Sequence, residues 1–219
     1  MNRPADRNGP TLNALSHQAP VIPQLTIADI SHAVPLAEAL VAAGLPVLEV
    51  SLRTRAALPA IGLIGRVPGA MPGAGDVLNA KEAAAALKAG AQFASAPGST
   101  HLLLDACTGM GLPVLPGAAT ATEAMRLLER GFELLSFYPA EAAGGVETLA
   151  RFARVMPQVH FRPCGGVTLH KAAEYLSLPN VPCVAGGWMV PPALQDGERW
   201  SEIRGLAHQA RLAANGHAI

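Results

Sequence analysis

The chain has 219 residues, half of them hydrophobic and only 15% charged, and 16 Lys and Arg balance 16 Asp and Glu. That length holds one large domain or two small ones with a sizeable core, and a net charge of zero argues against a nucleic-acid footprint or a basic membrane-surface stripe. The three widely spaced cysteines (Cys107, Cys164, Cys183), a polar stretch over residues 1–18 and the lack of an apolar run of about 18 residues point away from a disulfide framework, a secretory signal and a membrane span. The expected setting is the cytoplasm, with no metal and no cofactor.

Short apolar runs bounded by Gly and Pro alternate with Ala- and Leu-rich helical stretches. Residues 1–18 read as an arm or short leading helix, and residues 19–219 as one domain. Strand 21–27 leads into helix 31–43, with Gly44 as its stop signal. Strand 46–52 is followed by a poor helix over 56–65, because Gly62 and Gly65 each cost a helix about 1 kcal/mol relative to Ala. Strand 70–75 precedes a strong helix over 80–89 that stops at Gly90. Strand 91–96 and helix 100–108 follow, then strand 114–117 and helix 122–129, strand 133–138 and helix 145–155, strand 159–163 and helix 169–176. Strand 181–186 and helix 200–214 close the chain. Eight strand–helix units in this length suit a (β/α)8 TIM barrel, although an open doubly wound sheet alternates in the same way.

Several segments match one family in order and spacing. Val47-Leu48-Glu49-Val50-Ser51-Leu52-Arg53-Thr54, Gly73-Ala74-Gly75-Asp76-Val77-Leu78-Asn79 and Leu135-Ser136-Phe137-Tyr138-Pro139-Ala140-Glu141 stand in that order. Arg162-Pro163-Cys164-Gly165-Gly166 and Gly186-Gly187-Trp188 follow. From about residue 20 to 215 the chain resembles the 2-keto-3-deoxy-6-phosphogluconate (KDPG) and 4-hydroxy-2-oxoglutarate aldolases. The resemblance implies a single (β/α)8 barrel, a homotrimer, Glu49 as general acid/base and Arg53 as a substrate-binding cation. It also places the family's Schiff-base lysine where this chain has Ser136. The family usually has Thr in place of Asp76, Ser in place of Ala96 and Gly187, and Cys-Pro-Thr-Gly-Gly where this chain reads Arg162-Pro163-Cys164-Gly165-Gly166. These departures gather near the C-terminal ends of strands, where such barrels keep their active sites.

Without a lysine there is no iminium electron sink, and Lys81, Lys88 and Lys171 all fall on helices. The sequence therefore predicts a small-molecule pocket at the barrel mouth, rebuilt by design or by divergence. A carboxylate base serves it: Asp76, left partly desolvated in a pocket emptied by Ala96, Ser136 and Gly187, or else Glu49. The plainer reading of Asp76 is an ion pair with Arg53 or Arg162. His160, Arg162 and Cys164 are spaced by two and share one strand face. If that face is inward, Arg162 needs a carboxylate partner, Glu49 or Asp76, since an unpaired buried charge is expensive. Gln24 and Tyr138 are polar pocket residues, Gly165, Gly166 and Gly187 offer backbone amides, Cys164 and Ser136 are weak nucleophile candidates, and His101 lies at the rim or on the surface. A lyase acting by proton transfer or elimination, a catalytically silent scaffold and a residual aldolase are the three functional readings.

Overall fold

The computed structural model describes residues 19–214; the expected leading arm lies outside them. The described chain runs β1 (Val21–Leu25), a 3-10 turn (Ile30–His32), α1 (Ala33–Ala42), β2 (Val47–Ser51), α2 (Ala57–Ile64), β3 (Met71–Gly75), α3 (Ala80–Ala89) and β4 (Phe93–Ser95). It continues through α4 (His101–Gly109), β5 (Val114–Leu115), β6 (Gly117–Ala118), α5 (Ala121–Glu129), β7 (Leu134–Phe137), α6 (Gly145–Val155) and β8 (His160–Pro163). Its last elements are α7 (Leu169–Leu176), β9 (Val184–Gly186), α8 (Pro192–Asp196) and α9 (Trp200–Ala214).

Every strand pairing is parallel, in the orders β5-β4-β3-β2-β1-β9 and β6-β7-β8. Sequence neighbours are therefore sheet neighbours, and β1 lies beside the last strand. The amide of Phe161 on β8 donates to Asn180 O, just ahead of β9, at 2.7 Å. The sheet curls, wrapped by helices, into the barrel-like α/β architecture expected. Its ladders divide into two sheets at Pro116, where the sequence predicts one strand over 114–117. A proline has no amide to give a ladder; Pro116 still accepts from Ser136 N at 2.8 Å. Pro182 explains in the same way why the last strand starts at Val184 and not at 181. The turn at Ile30–His32, capped by Asp29, and the short α8 with its proline in the first turn were not legible as separate elements.

Helix ends follow local chemistry. Asn79, Thr100, Thr120 and Thr168 accept from backbone amides at the starts of α3, α4, α5 and α7. Thr120 and Glu123 form a full capping box, each such cap stabilising by about 1 kcal/mol. α2 forms in spite of Gly62, and the reason is packing: a Cβ there would lie 3.3 Å from Ala89 O at the end of α3.

The outer core lies between sheet and helices, and a second, smaller apolar cluster fills the inside of the curl with Ile22, Val47, Phe93, Leu115, Leu134, Cys183 and Ala185. β2 is buried along its whole length because helices cover one face and side chains fill the other. Phe93 occupies the interior beside Gly73, where a Cβ would come within 2.2 Å of the ring. Gly73→Ala is expected to lower stability by about 1–3 kcal/mol, the usual cost of overpacking a filled core. A urea-unfolding midpoint equal to that of the parent would refute this.

Candidate active site

Alternation along β2 sends residues 47, 49 and 51 to the interior, and Arg53 follows them at the rim. Residues paired in register stand side by side: Gln24 with Glu49, Glu49 with Gly73, and Ser136 with Arg162. The polar side chains form two groups, one deep and one at the mouth.

The deep group is centred on Arg162, which is 0% exposed. Its Nη1 donates to Glu49 Oε2 across the interior, joining strands 113 residues apart in sequence. Its Nη2 donates to Ser136 Oγ at 3.1 Å, and its Nε is buried without a partner. Gln24 Nε2 donates to the other Glu49 oxygen at 2.8 Å. Burial opposes the charge on Arg162, but the adjacent Glu49 carboxylate outweighs it, and the guanidinium is held more firmly protonated than an ordinary arginine. Ser136 Oγ and Cys164 Sγ lie 3.3 Å apart. Burial pushes the Cys164 thiol up against the lowering effect of Arg162, and pushes Cys183 up to about 12. A thiol so held is protonated at neutral pH and is a poor nucleophile. A cavity of only about 10 Å³ remains among Gln24, Glu49, Ser136, Arg162 and Cys164.

The mouth group sits above. Asp76 follows β3 with φ +58, a left-handed conformation that aspartate takes more readily than most residues. Its Oδ2 accepts from Ser51 Oγ and lies 3.0 Å from Arg53 Nε, which also donates to Ser51 Oγ at 2.8 Å. Arg53 and Asp76 side chains are 69% and 33% exposed, so this pair is solvated. Together with Thr26, Tyr138, Gly165, Gly187 and the upper edges of Gln24 and Glu49 they border an open depression of about 270 Å³.

The structure chooses between the alternatives that the sequence leaves open. Asp76 is half-buried and paired with Arg53, as the plainer reading had it, while the Arg162 guanidinium occupies the space beside Ser136. Arg162 has its required carboxylate in Glu49, buried to 2% exposure. Of the three spaced residues, Arg162 on β8 and Cys164 just after it are buried, while His160 is half-buried at the strand start, in register with Leu134. Gly165 and Gly187 border the mouth; at Gly166 a Cβ would meet the Glu141 side chain at 2.9 Å. His101 is an exposed surface residue accepting from Arg130 at 2.8 Å. Ser51 and Thr26 were missed, although the period of two that marks Glu49 and Gln24 also reaches them. Among the described residues no group of three or more His, Cys, Asp and Glu side chains has metal-binding proximity, and no helix is long and apolar enough to cross a membrane.

A curled parallel sheet wrapped by helices, with polar side chains inside it and at the C-terminal ends of its strands, defines an α/β barrel-like protein. The family model described as "Aldolase: KDPG and KHG aldolase" matches residues 12–206. A 2-dehydro-3-deoxy-phosphogluconate aldolase of Pseudoalteromonas atlantica is 46% identical over 200 residues, 91% of this chain and 93% of that protein. The crystal structure of the 2-keto-3-deoxy-6-phosphogluconate aldolase of Zymomonas mobilis with 3-phosphoglycerate is 44% identical, with a TM-score of 0.86 over 90% of this chain and 93% of that one. The KDPG aldolase of Legionella pneumophila, with pyruvate captured as a covalent carbinolamine, is 42% identical, with a TM-score of 0.87 over 90% and 96%. The chain belongs to the KDPG and KHG aldolase family.

Proposed function

We propose that this chain is a lyase-type barrel that has given up Schiff-base chemistry at position 136 and performs proton transfer on a small keto acid at its mouth, with Asp76 as the base. Ser136 offers no amine, and Glu49, which the resemblance makes the general acid/base, has both oxygens occupied by Arg162 and Gln24. Glu49 and Asp76 both border the open depression, but the Asp76 side chain is 33% exposed against 3% for Glu49, and that difference carries the proposal. In the proposed step Arg53 holds the keto acid's carboxylate by charge-assisted hydrogen bonds. Asp76 takes a proton from the carbon beside the carbonyl, the C–H electron pair moves into the carbonyl to form an enolate, and the Arg53 guanidinium offsets the growing negative charge. Asp76 gives its proton to solvent, and the enolate carbon takes a solvent-derived proton back as the carbonyl re-forms, which closes the cycle.

The test is hydrogen–deuterium exchange at the methyl group of pyruvate in heavy water, followed by proton NMR. The parent protein is expected to exchange faster than buffer, Asp76→Asn to lose at least 90% of the excess, in line with the about 10²–10⁴-fold typical of a general base, and borohydride to trap no pyruvate on either. Exchange that persists in Asp76→Asn would remove Asp76 from the role.

A second reading, a silent aldolase relative serving as a scaffold, is favoured by one observation: the cavity beside Arg162 holds only about 10 Å³. Exchange no faster than buffer, with no keto-acid binding by NMR, would select it. Homotrimeric assembly, which the resemblance implies, is part of either reading. Leu78, Leu102 and Met125 are exposed apolar side chains that an assembly has reason to cover; light scattering tests it.

A further inference from the structure

A second polar depression lies outside the barrel-like sheet, between α1 and α9. It has a volume of about 610 Å³, within the range of about 300–1,000 Å³ usual for small-molecule sites. Arg204, His208 and Arg211 line it at positions i, i+4 and i+7 of α9, hence on one helix face. Val41 to Gly44, at the end of α1, form the opposite wall. That wall leads into the start of β2, so the groove lies toward the N-terminal ends of the strands, opposite the mouth.

Three features set the groove apart. Among the described residues no carboxylate lines it, whereas Glu123 accompanies Arg126 and Arg130 in the depression at His101, and Glu147 accompanies Arg151 and Arg154 in the one on α6. Arg211 is packed in place: its Cδ and Nε lie 2.8 and 3.0 Å from where a Gly44 Cβ would stand, and its Nε is buried without a hydrogen-bond partner. Gly205 sits mid-helix on the groove floor, and a Cβ there would meet nothing within 4 Å. Packing does not demand a glycine at this helix-weakening position; its effect is to keep the floor open between Arg204 and His208.

We propose that this groove binds a small molecule through a phosphate or polyphosphate group, held by the Arg204 and Arg211 guanidiniums and the His208 imidazole. Guanidiniums suit phosphate because their planar N–H pairs match its oxygens, and a cation cluster with no carboxylate beside it concentrates anions. The site is independent of the mouth and of any activity there.

Isothermal titration of the full-length chain with inorganic pyrophosphate tests it. Saturable binding of one pyrophosphate per chain is expected, weakening as sodium chloride rises. Arg204→Ala should weaken it about tenfold, the loss of one charged hydrogen-bonding group. Gly205→Leu should fill the floor and abolish binding while the melting temperature holds or rises, which separates blockage from misfolding. Arg53→Ala, at the mouth, should titrate like the parent. No saturation, or affinity indifferent to both Arg204→Ala and Gly205→Leu, would overturn the proposal; so would affinity lost in Arg53→Ala, because the anion would then be binding at the mouth.

Discussion

Arg162→Leu is expected to destabilise the fold by about 3–5 kcal/mol, because it leaves the Glu49 carboxylate buried with no cation opposite it. At about 2–4 °C per kcal/mol for a domain of this size, the melting temperature should fall by roughly 10 °C. Gln24 still donates to one Glu49 oxygen, but a neutral amide does not replace a guanidinium in a low-dielectric interior. The same physics predicts what the double variant does. Replacing both members, as in Glu49→Leu with Arg162→Leu, removes charge and counter-charge together. It should recover most of the loss, since buried ion pairs are often matched by apolar side chains of similar volume. Thermal unfolding of the parent, the two single variants and the double variant forms a double-mutant cycle. A double variant no more stable than its worse parent would mean that Arg162 acts by filling space and not by pairing with Glu49.

That contact marks the limit of what the chain discloses when read in order. The strand–helix alternation and the helix stops at Gly44 and Gly90 depend on neighbours within a few residues, so periodicity and turn chemistry reveal them. The resemblance adds the curl of the sheet. The partner of Arg162 lies 113 residues away. The spacing of His160, Arg162 and Cys164 predicts an inward guanidinium that needs a carboxylate, yet local pattern does not choose between Glu49 and Asp76. The choice follows from depth. Glu49 is two residues further down its strand than Ser51 and faces the layer of Ser136 and Arg162, whereas Asp76 is past the end of β3, where solvated Arg53 reaches it first. The filling of the space beside Ser136 escapes local pattern for a related reason: the volume that a small residue leaves belongs to whichever long side chain the fold turns toward it, and strand neighbours alone do not disclose how far an arginine reaches. The groove between α1 and α9 stayed invisible because its walls are 160 residues apart in the sequence, roughly from Gly44 to Arg204.

The exchange of residues at positions 136 and 162 leads to the other large expected effect. Ser136 and Arg162 are in register on adjacent strands, and Arg162 donates to Ser136 Oγ, so the guanidinium lies where an amine on residue 136 would project. Ser136→Lys alone places a second cation beside the first, with the Glu49 carboxylate already paired. It should lower stability and trap no pyruvate. Adding Arg162→Cys, the residue that the family resemblance puts there, removes the competing charge, empties the volume and releases Glu49 to the new lysine. Burial then favours the neutral amine and Glu49 the protonated one, the balance that a Schiff-base lysine needs. The lysine nitrogen can attack the carbonyl of pyruvate, lose water to form an iminium and be fixed by borohydride. The expected result is a covalent adduct on residue 136 in the double variant, located by peptide mass spectrometry, and none in the parent or in Ser136→Lys. Melting curves confirm that each variant is folded at the trapping temperature. An adduct on Ser136→Lys as abundant as on the double variant would show that Arg162 is no obstacle. A folded double variant without an adduct would place the barrier at the mouth, where the Asp76–Arg53 pair meets an incoming keto acid before the interior does.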